Sequence, residues 1–249
     1  MSTDYKGRVY LLFGGTSAIA QSVATRLHER GATIVLAGRN QESLEKLAAK
    51  WSGETVMVNA DDPAAISAAV LETKEKHGRL DGIANFFGTL LLKPAHLTSD
   101  DEWNHTLAVN LTSAFAVTRA AAKACTPDGG SVVFISTVAA RVGLANHEAI
   151  AAAKSGLIGL AQSAAATYAS KKIRFNVVAP GLTDTPLAAK ITGNEAALKA
   201  STQMHPLGRI GEAHEVASAV TWFLDPEQSW VTGQVLGVDG GLATVRGRS

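Results

Sequence analysis

The feature that most constrains this chain is an alternation along its whole length. Short, nearly uncharged apolar runs at 9–13, 33–37, 55–58, 82–86, 132–135, 174–178 and 234–238 are separated by stretches with helical spacing. Runs this short that are apolar throughout suit strands buried on both faces. Strands alternating with helices are the pattern of βαβ units on a parallel sheet. The expectation is an α/β fold, one domain over 1–249, with a sheet of about seven strands and helices on both faces. A hydrophobic content of 46% is enough to cover such a sheet on both sides.

The helices announce themselves by spacing and caps. Ile19, Val23 and Leu27 share one stripe. Later helices open at Asn40, at Asp62-Pro63, and at Ser99 with Glu102 three residues on, a capping box. No linker, repeat or low-complexity block interrupts the series. The least regular region, 185–211, holds Pro186, Gly193-Asn194 and Pro206, and suits a lid over a site.

Composition excludes several partner classes. Net charge is +1 and no basic run interleaves with aromatics, so nucleic acid is not expected. The only cysteine, Cys125, rules out an internal disulfide and fits a reducing compartment. No cysteine–histidine cluster suggests a metal. The first apolar run stops at two glycines, and the longest uncharged stretch, 155–170, is shorter than a membrane span. A soluble cytoplasmic protein is expected.

Two stretches carry chemistry. The first is strand, then Gly14-Gly15-Thr16-Ser17-Ala18-Ile19-Ala20, then helix. That order places a pyrophosphate at a helix N-terminus, where free N–H groups and the helix dipole hold negative charge. The second is 131–154: a buried strand, the hydroxyl of Thr137, a loop, and an alanine-rich helix bearing Lys154. Ile150 lies four residues before Lys154, on the same helical face.

These stretches resemble the short-chain dehydrogenase/reductase family, and the resemblance spans essentially the whole chain. It implies a Rossmann-type doubly wound sheet, a nicotinamide cofactor, and hydride exchange with a carbonyl or alcohol. In that family a Ser ends the strand and a Tyr-x-x-x-Lys motif follows. Here the Ser position holds Thr137, the Lys position Lys154, and the Tyr position Ile150. The phosphate-loop pattern Thr-Gly-x-x-x-Gly-x-Gly reads Phe13, Gly14, Ala18, Ala20, so Gly14, Thr16, Ser17 and Ile19 stand as the phosphate-binding positions. NAD-selective members carry an acid where Gly38 stands. Arg39 follows instead, and its planar cation fits a 2′-phosphate, favouring NADP(H) over NAD(H).

The resemblance also assigns Asn59 to the adenine and Asn85 and Gly88 to the frame of the cofactor cleft, with Phe87 in place of a small residue. Asn110 corresponds to the asparagine that holds a relay water. Pro180, Gly181, Thr183 and Thr185 belong to the motif that engages the nicotinamide carboxamide. Phe87 reads either as a wall narrowing the pocket or as a core aromatic. The departures Phe13, Ala18, Phe87 and Ile150 all fall on cofactor or chemistry positions.

Isoleucine has no proton to give, so Tyr-dependent hydride transfer is expected to be impaired or lost, leaving an NADP(H)-binding protein. The alternative is a working reductase of a small apolar carbonyl or alcohol with another acid. Candidates are His147, one turn before Ile150 if the helix already runs there, the lid residue His205, a Thr137–water–Lys154 relay, or a group on the substrate. A non-redox enzyme on the same fold is a third reading. Small residues on the helix carrying Lys154, and the family's habit, imply a homodimer or homotetramer. The substrate is not readable beyond an apolar pocket near Leu90, Leu91 and Leu92.

Overall fold

The computed structural model describes residues 4–125 and 127–246. Strands β1 (Val9–Phe13), β2 (Thr33–Gly38), β3 (Glu54–Met57), β4 (Gly82–Asn85), β5 (Gly130–Ile135) and β6 (Ile173–Pro180) join a last strand in one parallel sheet. Two further short strands, β7 (Thr183–Asp184) and β8 (Gly211–Glu212), pair only with each other. The last strand, β9 (Val235–Val238), closes the large sheet, whose order is β3-β2-β1-β4-β5-β6-β9. The helices are α1 (Ala18–His28), α2 (Gln41–Ala48), α3 (Pro63–His77), α4 (Asp100–Leu107), α5 (Ser113–Ala124), α6 (Glu148–Thr167), α7 (Ala189–Thr192), α8 (Glu195–Met204) and α9 (Ala213–Leu224). The seven-stranded α/β architecture is the one the alternation implies. Strand ends move by one or two residues: β5 begins at Gly130 and β6 runs on to Pro180.

Alternation within each strand builds two cores. Along β1, Val9, Leu11 and Phe13 enter a cluster with α3, α5 and α6, whereas Tyr10 and Leu12 enter the cluster with α1, α2 and α9. Each large side chain buried this way contributes roughly 2–3 kcal/mol. The expected caps are in place. Ser17, Asn40, Asp62 and Ser99 each accept a backbone N–H of the first turn, and Glu102 completes the box on α4.

The order reverses direction between β1 and β4, so their C-terminal ends flank the crevice where ligands of open α/β sheets bind. Phe13 and Asn85 stand opposite each other there. The segment 185–211 is more regular than its glycines and prolines suggest. It folds into a 3₁₀ turn followed by α7 and α8, with Asn194 capping α8. Among the described residues no helix is long and apolar enough to cross a membrane.

Candidate active site at the switch point

The loop leaving β1 is shaped by close approaches. Gly14 sits at φ +68°, and a Cβ there would lie 2.9 Å from the Phe86 carbonyl carbon. A Cβ on Gly15 would meet the Leu36 side chain at 2.9 Å. Only glycine fits either place. Ser17 Oγ accepts from the Ala20 N–H, while the amides of Ala18 and Ile19 have no acceptor among the described residues. They stand free at the start of α1, as an anion at a helix N-terminus requires.

At the end of β2, Asn40 caps α2 by accepting the Ser43 N–H at 2.9 Å. Arg39, beside it, is exposed and has no hydrogen-bond or ion-pair partner among the described residues. Its guanidinium is available to an anion. A side chain at Gly38 would touch Leu44 only at an ordinary 3.6 Å, so packing does not demand a glycine there. Asn59 is exposed just past β3, and its carbonyl accepts the Asp62 N–H.

At the other side of the crevice, Asn85 is buried. Its Oδ1 accepts the Phe87 N–H at 3.0 Å and its Nδ2 donates to Ser113 Oγ. Phe87 is partly buried and packs against the α3–α5–α6 core, its ring 5.5 Å from that of Phe13. Two of the large departures from the family pattern are therefore one packing event. Of the two readings of Phe87, the core aromatic is the one the contacts describe.

Lys154 lies one turn beyond Ile150 on α6, 7% exposed. Its Nζ donates to the carbonyls of Ile135, at 2.9 Å, and Phe87, at 3.4 Å. Burial without a nearby carboxylate pushes the amine down to about 8. Gly88 faces it: a Cβ there would lie 3.5 Å from Nζ and 3.2 Å from Asn110 Oδ1. Asn110 sits in a π-helical turn, 108–112, between α4 and α5. Its Nδ2 donates to Thr106 O and Thr89 Oγ1, both at 2.9 Å, and its Oδ1 accepts the Thr89 N–H. Both amide hydrogens are thus taken by protein groups, while Oδ1 keeps a second lone pair.

Thr137 is half-buried after β5, its Oγ1 accepting the Ala139 N–H at 3.3 Å while its own O–H has no acceptor among the described residues. Ile150 is 3% exposed yet belongs to neither core cluster. His147 does not share its helical face. It is the cap residue, with φ −108° and ψ 12°, because α6 starts at Glu148. Its Nδ1 lies 2.7 Å from Ala145 O. His205 is buried between backbone groups, Nδ1 2.7 Å from Ser201 O and Nε2 accepting the Leu182 N–H at 3.2 Å. Both nitrogens are used, so it offers no free acid.

In the loop after β6, Gly181 N–H donates to Val238 O, Thr183 Oγ1 donates to Gly181 O, and Thr185 Oγ1 donates to Thr183 O. The fold thus gathers the ends of β1, β4, β5 and β6 on one rim and leaves Asn59 and Arg39 at its far edge. Three contributors escaped the sequence reading. Thr89 clamps Asn110, Ser136 Oγ donates to Lys154 O at 2.8 Å, and Ser113 supports Asn85. Ser136, as half of a hydroxyl pair with Thr137, was the only one with a visible signal.

Comparison with known proteins agrees with this fold. A family model described as enoyl-(acyl carrier protein) reductase matches residues 14–243. A 3-oxoacyl-[acyl-carrier-protein] reductase, FabG, of Salmonella typhimurium is 31% identical over 97% of this chain and 100% of its own. A tropinone reductase homolog of Arabidopsis thaliana is 34% identical over 100% of this chain and 98% of its own. Among solved structures, a short-chain type dehydrogenase/reductase from Mycobacterium ulcerans superposes with a TM-score of 0.92 at 30% identity, covering 98% of this chain and 92% of the other. A variant actinorhodin polyketide ketoreductase with NADPH gives a TM-score of 0.89 at 27% identity, covering 98% and 100%.

Proposed function

The chain belongs to the short-chain dehydrogenase/reductase family, and we propose that it binds NADP(H) while the ordinary Tyr-dependent proton transfer to a carbonyl is lost. NADP(H), when bound, supplies a hydride. The free amides of Ala18 and Ile19 receive its pyrophosphate, and Arg39 receives the 2′-phosphate. Asn85 and Gly88 shape the cleft beside Lys154, whose amine holds the ribose. Pro180, Gly181, Thr183 and Thr185 frame the carboxamide. The crystallised ketoreductase with NADPH supports this choice of cofactor.

The observation that carries the reading is Ile150, a hydrocarbon held one turn from Lys154 where the family places its acid, with His147 at the cap before α6 rather than on the face of Ile150 and His205 bonded through both ring nitrogens. Removing a general acid typically forfeits roughly 10²–10⁴ in rate. A slower route remains open to this chain's own groups. The Lys154 amine, brought down to about 8 by burial, can pass a proton through water and the free Thr137 O–H to a carbonyl oxygen.

Fluorescence titration with NADPH and turnover over a panel of small apolar ketones test both parts. NADPH is expected to bind, and Ile150→Tyr to raise turnover by roughly 10²-fold or more. A wild-type rate that Ile150→Tyr leaves unchanged would refute the silenced-acid reading. An activity untouched by Lys154→Ala would remove the relay, and one untouched by His147→Ala as well would remove both as proton sources.

We propose a homodimer or homotetramer formed through α5 and α6, a reading supported by their outer faces. Leu111 fills the space at Gly156, but Gly159 has nothing within 4 Å and Ala152 and Ser155 are exposed. Phe115 on α5 is 51% exposed. A monomeric mass at micromolar concentration would contradict this assembly. Cys125 is half-buried, and desolvation pushes its thiol up to about 12, away from the reactive thiolate, which suits a reducing cytoplasm.

A further inference from the structure

His205 stands at the C-terminal end of α8 and is 3% exposed. Its two ring nitrogens face groups of opposite kind. Ser201 O, on α8, can only accept, and the Leu182 N–H can only donate. The imidazole that satisfies both is neutral, with its proton on Nδ1. Leu182 lies in the loop 180–185 that the proposed function assigns to the nicotinamide end. One buried ring therefore ties the lid helix to that loop. The approach is close enough that a Cβ on Gly181 would lie 2.5 Å from Nε2.

A cavity of about 270 Å³ borders the ring, lined also by Leu207, Arg209, Glu215 and Asp239. Arg209 and Glu215 are paired with each other through two hydrogen bonds, and the Asp239 carboxylate is taken by the N–H groups of Gly241 and Ala243. On α8 itself, Lys199 and Glu195 are exposed. Among the described residues no charged group forms an ion pair with the imidazole, but the cavity gives water a way to reach it. Protonation places a hydrogen on Nε2, directly against the Leu182 N–H. Two donors then face each other and the tie is lost.

We propose that His205 is a proton-operated latch that holds α8 against the loop 180–185 when neutral and releases both when charged. Its consequence for the cofactor rests on the NADP(H) reading above; the latch itself does not. Losing one buried hydrogen bond corresponds to about a fivefold loosening, the equivalent of roughly 1 kcal/mol.

Amide hydrogen exchange of the intact protein, with protection corrected for intrinsic rates, decides the matter. The wild type is compared with His205→Gln, whose Oε1 accepts the Leu182 N–H but does not titrate. Acidification runs from about pH 8 to about pH 5.5, the window in which histidines as a class change charge. Protection at Leu182 and through 199–210 is expected to fall about fivefold in the wild type and to stay level in His205→Gln. An equal fall in both proteins, or none in the wild type, would overturn the latch. NADPH titration under the same conditions is expected to show the same contrast. Exchange that responds while NADPH affinity in the wild type tracks that of His205→Gln would overturn the coupling to the cofactor. A protein that binds no NADPH at any pH would refute the cofactor reading, and the exchange result would still decide the latch.

Discussion

Lys154→Met exchanges a buried amine for an apolar chain of similar length, and its effect on stability should depend on pH in a way that can be worked out. The folded state holds this amine at about 8 against an ordinary value of 10.5, because burial penalises the charged form. At about 1.4 kcal/mol for each factor of ten, that difference amounts to about 3 kcal/mol. Below about pH 8 the amine is charged in both folded and unfolded chains, and the folded state bears the whole cost. Between about 8 and 10.5 the unfolded chain alone keeps the proton, so wild-type stability rises with pH.

Methionine has no such dependence. It also removes the hydrogen bonds to Ile135 O and Phe87 O, a loss of ~1 kcal/mol each that is the same at every pH, since a neutral amine donates them too. The substitution should therefore be more favourable at neutral pH than at high pH, by about 2–3 kcal/mol between pH 7 and pH 10. Parallel urea unfolding of both proteins at the two pH values measures that difference directly. A substitution effect that is equal at both, or that improves as pH rises, would mean that Lys154 is not a desolvated cation and would withdraw it as a proton source.

Arg39→Ala should weaken NADPH by about tenfold or more, the scale of a charge-assisted hydrogen bond, and leave NADH nearly unchanged. Fluorescence titration showing equal losses would refute the 2′-phosphate assignment. Phe13→Leu and Phe87→Leu should couple by roughly 0.5–1.5 kcal/mol in a double-mutant cycle, because the two rings touch. Additive losses in chemical unfolding would show that the pair is a coincidence of placement.

Much of this protein is written locally. Parallel strands buried on both faces read as apolar runs, caps lie next to the turns they satisfy, and a strand–glycine–helix order needs no distant partner, so the sheet, the helix starts and the glycine turn after β1 were all legible. The chemical inventory was legible too: isoleucine at position 150, lysine at 154 and an arginine after Gly38 are facts of the chain. What each residue does depends on contacts that no local pattern encodes. Phe13 and Phe87 come from different strands and meet only because β1 and β4 are neighbours in the sheet. His147 fails to share the face of Ile150 because α6 begins one residue too late. Lys154 loses its usual basicity because the ends of β4 and β5 close over it, and His205 acquires two backbone partners because the end of α8 packs onto the loop after β6. Desolvation and long-range hydrogen bonds are properties of the folded surroundings, so only the tertiary structure could assign them.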